Sequence, residues 1–499
     1  MEESLSLLLG GFATALQPEN LLFAFLGCFL GTLVGVLPGI GPSATIAILL
    51  PVTFSLPPTA SIIMLAAIYY GTQYGGTITS VLFNTPGEAA SAITGVEGHA
   101  MAKQGRAGAA LTVAAIGSFI GGTVTTFALA FLGPPLGALA LRFGPPEFFS
   151  LMVVSLMLTA TLAGRSLLRG MISAILGLIL AMVGTDPVMG LPRLTFGEAN
   201  LYDGIGFVVV IMGLFGVGEI LANIEDPKRR FAQAELTRLR MSREDWRRSA
   251  GPIGRGTVLG FVIGVVPGLG SASAAFLSYA VEKQVSRRPE EFGRGAIEGV
   301  AGPETANNAA ANGALLPLLT LGIPGSGVVA ILMGAFMMNG LVPGPMLFKE
   351  HGDVVWAVIA SLYIGNVMLL VLNLPLIPMW LAILRIPYAV LFALILGFTV
   401  VGTYSLANNV FDLWLLAAFG LLGWLLRRLD IPLVPLTLTL ILGPLMEGGL
   451  RRSLEMSQGD FMIFLERPIS AGCLAFAVLI LLWTLRGVLA ERRRQRTVG

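Results

Sequence analysis

Charged side chains are scarce in this chain. Asp, Glu, Lys and Arg make up 12% of its 499 residues, against about 25% in a soluble protein. A soluble fold of this length needs a polar exterior, and this sequence has too few polar residues to build one. Cysteine is nearly absent: Cys28 and Cys473 both sit in apolar runs, which excludes a disulfide framework and a zinc site. The two histidines, His99 and His351, are too few for a haem or a multi-histidine metal centre. A net charge of +2, with the bases clustered, excludes a basic nucleic-acid face. No Walker A or His-Glu-x-x-His pattern occurs, and Gly325-Ser326-Gly327 lacks the spacing of a nucleophile elbow. The chain is therefore not read as an enzyme, and no cofactor is indicated.

Apolar residues dominate instead, at 55% of the sequence with a mean hydropathy of +0.82. A helix needs about 20 residues to cross the roughly 30 Å hydrocarbon core. Apolar runs that meet or approach this length lie near 107–132, 147–163, 170–185 and 205–223, then near 354–378, 387–404, 411–427, 431–447 and 470–486. The fold class expected is all-α, polytopic and embedded in a lipid bilayer. Met1 to Leu16 carries Glu2 and Glu3, has no basic n-region and shows no small-residue cleavage pattern, so it reads as a short interfacial helix and not as a secretory signal.

Lys and Arg resist translocation and so orient the spans. The window 225–250 holds Lys228, Arg229, Arg230, Arg238, Arg240, Arg243, Arg247 and Arg248 and is expected to be cytoplasmic. Lys103 with Arg106, Arg165 with Arg169, Arg427 with Arg428, and the tail Arg492, Arg493, Arg494 and Arg496 join it after even numbers of crossings. Only Arg451 and Arg452 fall on the outer side. The C-terminus is expected in the cytoplasm.

The sequence also repeats itself. Gly35-Val36-Leu37-Pro38-Gly39-Ile40-Gly41 recurs as Gly264-Val265-Val266-Pro267-Gly268-Leu269-Gly270, and Tyr74 to Gly87 aligns without a gap to Asn312 to Gly325. Each half thus carries two Pro-Gly breaks in apolar surroundings. The first break of each half is flanked by segments too short to cross singly, which predicts re-entrant hairpins over 21–54 and 254–283. Interrupted helices are expected over 60–102 and 295–345. Lys283, Arg287, Arg288 and Arg294 follow the second hairpin, whereas Thr53 to Thr59 has no charge, so the two repeats are expected to be inverted. The division expected is an interfacial segment 1–20, a first membrane repeat 21–224, a basic linker 225–250, a second membrane repeat 251–447, and a C-terminal helix with a basic tail 448–499.

A helix broken inside hydrocarbon leaves backbone N–H and C=O groups without partners, which is tolerated only where the break is buried in protein or lines a wet cavity. Paired breaks meeting near the midplane are the arrangement of secondary carriers. Half-helix N-termini there favour an anion, and freed carbonyls can hold Na⁺. The residues expected to bind substrate are Gly39, Gly41, Asn84, Thr85, Gly87, Gly268, Gly270, Ser271, Thr305, Asn307, Asn308, Gly325 and Ser326. Pro38, Pro267, Glu304 and Asn312 are assigned to a coupling ion, and Na⁺ is the one metal ion considered. Glu298, Glu304 and Glu88 stand out because an ionisable group in a membrane segment is costly and functional by default; the alternative for Glu304 is a salt bridge to Arg294 or a loop position. Tyr69, Tyr70, Gln73 and Tyr74 read equally as site lining or as an interfacial aromatic cluster, and the Gly-rich patterns also serve close helix packing.

Gly35 to Pro51, Tyr69-Tyr70-Gly71-Thr72-Gln73-Tyr74-Gly75-Gly76, Gly264 to Ser271, Glu304-Thr305-Ala306-Asn307-Asn308-Ala309-Ala310 and Leu321-Gly322-Ile323-Pro324-Gly325 resemble the large permease subunit of tripartite tricarboxylate transporters. The resemblance covers nearly the whole chain. It implies a multi-pass carrier of the bacterial inner membrane, working with a small four-helix membrane subunit and a periplasmic solute-binding protein. It further implies uptake of citrate or other tri- and dicarboxylates on a Na⁺ or H⁺ gradient, with the Pro-Gly and Asn-Asn elements above as site elements. A homodimer is compatible with this reading. Three other readings use the same features: the large subunit of another binding-protein-dependent organic-anion carrier, a channel whose breaks form a static filter, and an intramembrane enzyme or scaffold.

Overall fold

The computed structural model describes residues 2–37, 40–162, 166–186, 189–224, 236–383 and 388–498. The chain is an all-α polytopic membrane protein, and among the described residues strand is confined to β1 (Gly184–Thr185) paired antiparallel with β2 (Pro192–Arg193). Among the described residues, six helices are long and apolar enough to cross a bilayer: Pro18–Gly35, Ala107–Ala140, Phe207–Ile224, Gly352–Asn373, Val410–Arg428 and Leu433–Met456.

Two compact units form, Met1–Gly137 with Val208–Trp424, and Ala138–Phe207 with Leu425–Gly499. The first holds α1 (Glu2–Ala15), α2 (Pro18–Gly35), α3 (Pro42–Leu49), α4 (Pro58–Phe83), α5 (Ser91–Lys103) and most of α6 (Ala107–Ala140). The second takes α7 (Pro145–Leu162) and α8 (Leu167–Ala181). The chain re-enters the first unit through α9 (Phe207–Ile211) and α10 (Gly218–Ile224), which are joined by a π-helical stretch, Met212–Val217. It continues there with α11 (Arg243–Val265), α12 (Gly270–Val285), α13 (Glu298–Leu321), α14 (Gly327–Met338), α15 (Leu347–Glu350), α16 (Gly352–Asn373), α17 (Ile377–Ile383), α18 (Tyr388–Ala407) and most of α19 (Val410–Arg428). α20 (Leu433–Met456), α21 (Ile463–Glu466) and α22 (Pro468–Val498) complete the second unit.

Proline and glycine place the breaks. Pro18, Pro42 and Pro58 open α2, α3 and α4, where a missing N–H costs nothing. α4 stops at Asn84 and α13 stops at Gly322, both in the left-handed conformation, with φ of 52° and 70°. Asn and Gly are the residues that adopt it most readily. These two caps are equivalent positions of the repeat. In each copy the next N–H reaches back six residues, from Thr85 to the Thr79 oxygen and from Ile323 to the Pro317 oxygen. α11 begins with a reciprocal cap, the Ser242 hydroxyl accepting from Asp245 N while the Asp245 carboxylate accepts from Ser242 N.

Packing follows the repeat as closely as the breaks do. Along α2, a Cβ on Gly27, Gly31 or Gly35 would collide with the backbone oxygens of Met64, Ile68 and Thr72 in α4. Along α11, Gly256, Gly260 and Gly264 meet Gly302, Ala306 and Ala310 of α13 in the same way. Small residues spaced by four let backbones approach, which in lipid replaces the missing hydrophobic drive. The α1 helix is present, and its Gly11 rests on the Trp356 carbonyl of α16.

Ion pairs anchor the ends of several helices. Arg451 pairs with Asp186 and Glu447, and Arg193 joins the same cluster, so one of the two outward-assigned arginines is neutralised locally. Glu298 is paired with Arg248, which also holds Glu291 and keeps that carboxyl below its usual range. The Glu97 carboxylate of α5 accepts from the amides of Gly293, Gly295 and Ala296 and from the Tyr279 hydroxyl, and so fixes the chain that enters α13.

The close contacts give a direct test. Gly260→Ala places a methyl on the Ala306 carbonyl, and should cost about 1–3 kcal/mol as overpacking. Gly254→Ala, on the same helix with open space around it, should leave thermal unfolding in detergent unchanged or slightly raised. Equal melting of the two variants would contradict the packing described.

Candidate functional site

The elements flanking the breaks carry one buried polar cluster drawn from both repeats. Gln73 on α4 is fully buried, as is Asn307 on α13, and Glu88 follows the break after α4 with 7% of its surface exposed. Asn307 Nδ2 donates to Glu88 Oε1 at 3.0 Å. The Gln73 amide, oriented by its neighbours, donates to Glu88 Oε2 (2.8 Å) and Asn307 Oδ1 (2.6 Å), while its oxygen accepts from Ser271 Oγ (3.1 Å). The hydroxyls of Ser271, at the start of α12, and buried Tyr69 lie 3.3 Å apart. Tyr69 and Asn307 are equivalent positions of the repeat, so the cluster sits where the two copies meet.

Main chain from the breaks closes around it. Gly87 is pressed against the Gly35 carbonyl and Gly76, and its counterpart Gly325 against the Gly264 carbonyl and Ala314. Gly268 N donates to Gly325 O at 3.0 Å. Gly268 and Gly270 both have positive φ, 89° and 63°, which favours glycine there. Ser326 caps α14 by accepting from Val329 N, and a Cβ on Gly270 would touch the Ser326 side chain.

A second buried carboxylate lies on α13. Glu304 is 1% exposed, and its oxygens accept from Thr77 Oγ1 (2.7 Å) and Thr94 Oγ1 (2.6 Å). Its main-chain oxygen accepts from Ser118 Oγ at 3.2 Å and Asn308 Nδ2 at 3.3 Å. The salt bridge to Arg294 weighed for Glu304 does not form, because the residue sits inside the helix, away from the loop that precedes it. Among the described residues, neither Glu88 nor Glu304 has a lysine or arginine partner. A carboxylate taken out of water without a countercharge is costly, even when hydrogen-bonded.

The other sequence-designated residues are dispersed. Pro38 and Gly39 lie outside the described residues. Gly41 caps α3 and its oxygen accepts from Thr45, and Pro267 lies in the break between α11 and α12. Asn84 is exposed, and the Thr85 hydroxyl donates to the Phe83 oxygen. The Thr305 hydroxyl donates to Ala301 O, and its side chain packs against Gly117, Gly121 and Gly256. Asn312 donates to Gly122 O, Thr125 and Thr126 and accepts from Tyr70, on the α6 side of α13. Asn308 Oδ1 is buried without a hydrogen-bond partner. Thr77 and Thr94, the donors to Glu304, were not among the designated residues.

The sequence comparison decides the family. Residues 21–438 match the model of the tripartite tricarboxylate transporter TctA family. The chain belongs to this family. The matched TctA region contains both copies of the repeat, all described breaks, and Glu88 and Glu304. Two relatives are known from Agrobacterium vitis. An uncharacterized 52.8 kDa protein in the TAR-I ttuC' 3' region is 48% identical over 466 residues, covering 93% of each chain. An uncharacterized protein in the TAR-II ttuC' 3' region is 46% identical over 236 residues, 47% of this chain and 98% of that one. No solved structure matches the chain significantly. Membership identifies this TctA-family chain as a subunit of a tripartite tricarboxylate transporter.

The threonines on Glu304 are each expected to matter for stability. Thr77→Val and Thr94→Val should each lower stability by about 1–3 kcal/mol, the scale of a lost hydrogen bond to a buried charged group. In a Glu304→Gln background the cost of Thr94→Val should shrink, as measured by thermal unfolding in a double-mutant cycle. Additive costs would contradict the contact.

Proposed function

We propose that this chain is the large permease subunit that imports a tri- or dicarboxylate of the citrate type across the bacterial inner membrane, coupled to a Na⁺ or H⁺ gradient. Its partners in this reading are a periplasmic solute-binding protein and a small four-helix membrane subunit. Segments 21–224 and 251–447 act as inverted repeats, each with a re-entrant hairpin (α2–α3 and α11–α12) and an interrupted helix (α4–α5 and α13–α14). The linker 225–250 and the C-terminal end of 448–499 face the cytoplasm because their arginines resist translocation.

The observation that carries the reading is the cluster of Tyr69, Gln73, Glu88, Ser271 and Asn307 beside Gly87, Gly268 and Gly325. Neutral amides and hydroxyls, together with the N-termini of α12 and α14, offer hydrogen-bond donors to a carboxylate without a fixed countercharge. Glu88 makes the chemistry conditional. Next to an anionic substrate its charge is repulsive, so the anion binds well only when a cation or proton compensates the carboxylate. That linkage is what symport requires, because substrate and cation then stabilise the same state of the protein.

Uptake by the chain reconstituted with its two partners tests the reading. Asn307→Ala and Ser271→Ala should lower carboxylate uptake at least tenfold, and Glu88→Gln should weaken its dependence on the imposed cation gradient. Gly254→Ala should transport normally. Uptake unchanged in the three cluster variants, or conductance far above carrier turnover without cation dependence, would overturn it.

A further inference from the structure

Beside Glu304 lies a small hollow of about 10 Å³, lined by Tyr74, Thr77, Ser118, Glu304 and Asn373 together with apolar side chains. It is set apart from the Glu88 cluster by its lining, since none of Gln73, Glu88, Ser271 or Asn307 contributes to it. Every polar lining group presents oxygen: one carboxylate, three hydroxyls and an amide. Tyr74 and Asn373 are 3% and 4% exposed. The Tyr74 hydroxyl and Asn373 Oδ1 make no hydrogen bond within the protein. Buried polar atoms almost always have partners, so two such oxygens around one polar hollow point to a ligand. Four different helices, α4, α6, α13 and α16, supply the wall.

We propose that this hollow is a Na⁺ site, with the Glu304 carboxylate as its single charged ligand and the oxygens of Tyr74, Thr77, Ser118 and Asn373 around it. The assignment deepens the coupled-carrier reading and rests on it for its role in transport, though not for the binding itself. Hard oxygen donors without nitrogen or sulfur select an alkali or alkaline-earth ion over a transition metal. One carboxylate balances one positive charge, which favours a monovalent ion. No group of three or more His, Cys, Asp or Glu able to hold a metal occurs among the described residues. The volume admits one water-sized particle, room that suits Na⁺ better than the larger K⁺. Thr77 links the hollow to the substrate cluster along α4, one helical turn from Gln73.

Binding is tested without transport. The purified chain in detergent is unfolded thermally across a NaCl series at constant ionic strength set with choline chloride, with KCl in parallel. Wild type should show saturable stabilisation by Na⁺ and at least tenfold weaker response to K⁺. Tyr74→Phe and Asn373→Leu each remove an oxygen that lacks a protein partner, so their stability without Na⁺ should equal or exceed that of wild type. Their half-maximal Na⁺ concentration should rise at least tenfold. Wild type indifferent to Na⁺, equal responses to Na⁺ and K⁺, or variants with the wild-type Na⁺ response would each overturn the site. Carboxylate uptake measured on the same preparations separates the two claims: coupled uptake with no Na⁺ stabilisation removes this site alone, whereas Na⁺ stabilisation with no uptake removes the carrier reading alone.

Discussion

Hydrocarbon offers no hydrogen bonds, and the interior of this chain is organised around that constraint. A helix interrupted in such a medium must have its loose backbone groups met by protein. Here the contact that does so is glycine against backbone. Gly31 on Ile68 and Gly260 on Ala306 bring helix axes together, and the same approach continues to Gly87 on Gly35 and Gly325 on Gly264, where the breaks occur. Side chains at those positions would hold the breaks apart. The polar cluster exists because the backbones are close enough for Gln73, Glu88, Ser271 and Asn307 to reach one another.

Glu88 and Glu304 carry the proposed chemistry. Both are held by neutral donors, Glu88 by two amides and Glu304 by two threonine hydroxyls. An arginine in either place would bind a carboxylate substrate directly but would bind it in every state. In the proposed carrier, acidic residues with neutral partners tie anion binding to a compensating cation. By contrast, the acidic residues nearer the helix ends are paired with arginine: Glu298 with Arg248, Glu282 with Arg255 and Asp186 with Arg451. Glu97 stands between the two groups, fully buried and held by three loop amides and a tyrosine hydroxyl.

Much of this was legible in the sequence, for identifiable reasons. Apolar runs, Pro-Gly pairs and the recurrence of Tyr74–Gly87 as Asn312–Gly325 are local signals, and the helices, breaks and matched packing follow them. Asn307, Glu304 and Ser271 were recognisable as polar groups beside breaks. Thr305 and Asn312 share a polar run with Asn307, yet a helix turns by about 100° per residue. That rotation points Thr305 at the glycines of α6 and α11 and Asn312 at Thr125 and Thr126. Thr77, Thr94, Ser118 and Asn373 gave no signal, because they lie on four separate helices and their convergence depends on tertiary packing. Glu97 was invisible for a similar reason, since its partners are the amides of a loop nearly two hundred residues away.

The claim on which the account rests is that polar groups of both repeats share one site. It is tested most directly by substituting Gln73→Cys and Ser271→Cys together in a Cys28→Ala, Cys473→Ser background. The membranes are then treated with a short bifunctional methanethiosulfonate, and the linked peptides are identified by mass spectrometry. The account predicts an intramolecular link between the two positions at high yield, from side chains that approach to 3.1 Å in the unaltered chain. Single modification of both cysteines in a folded protein, with no link formed, would contradict it.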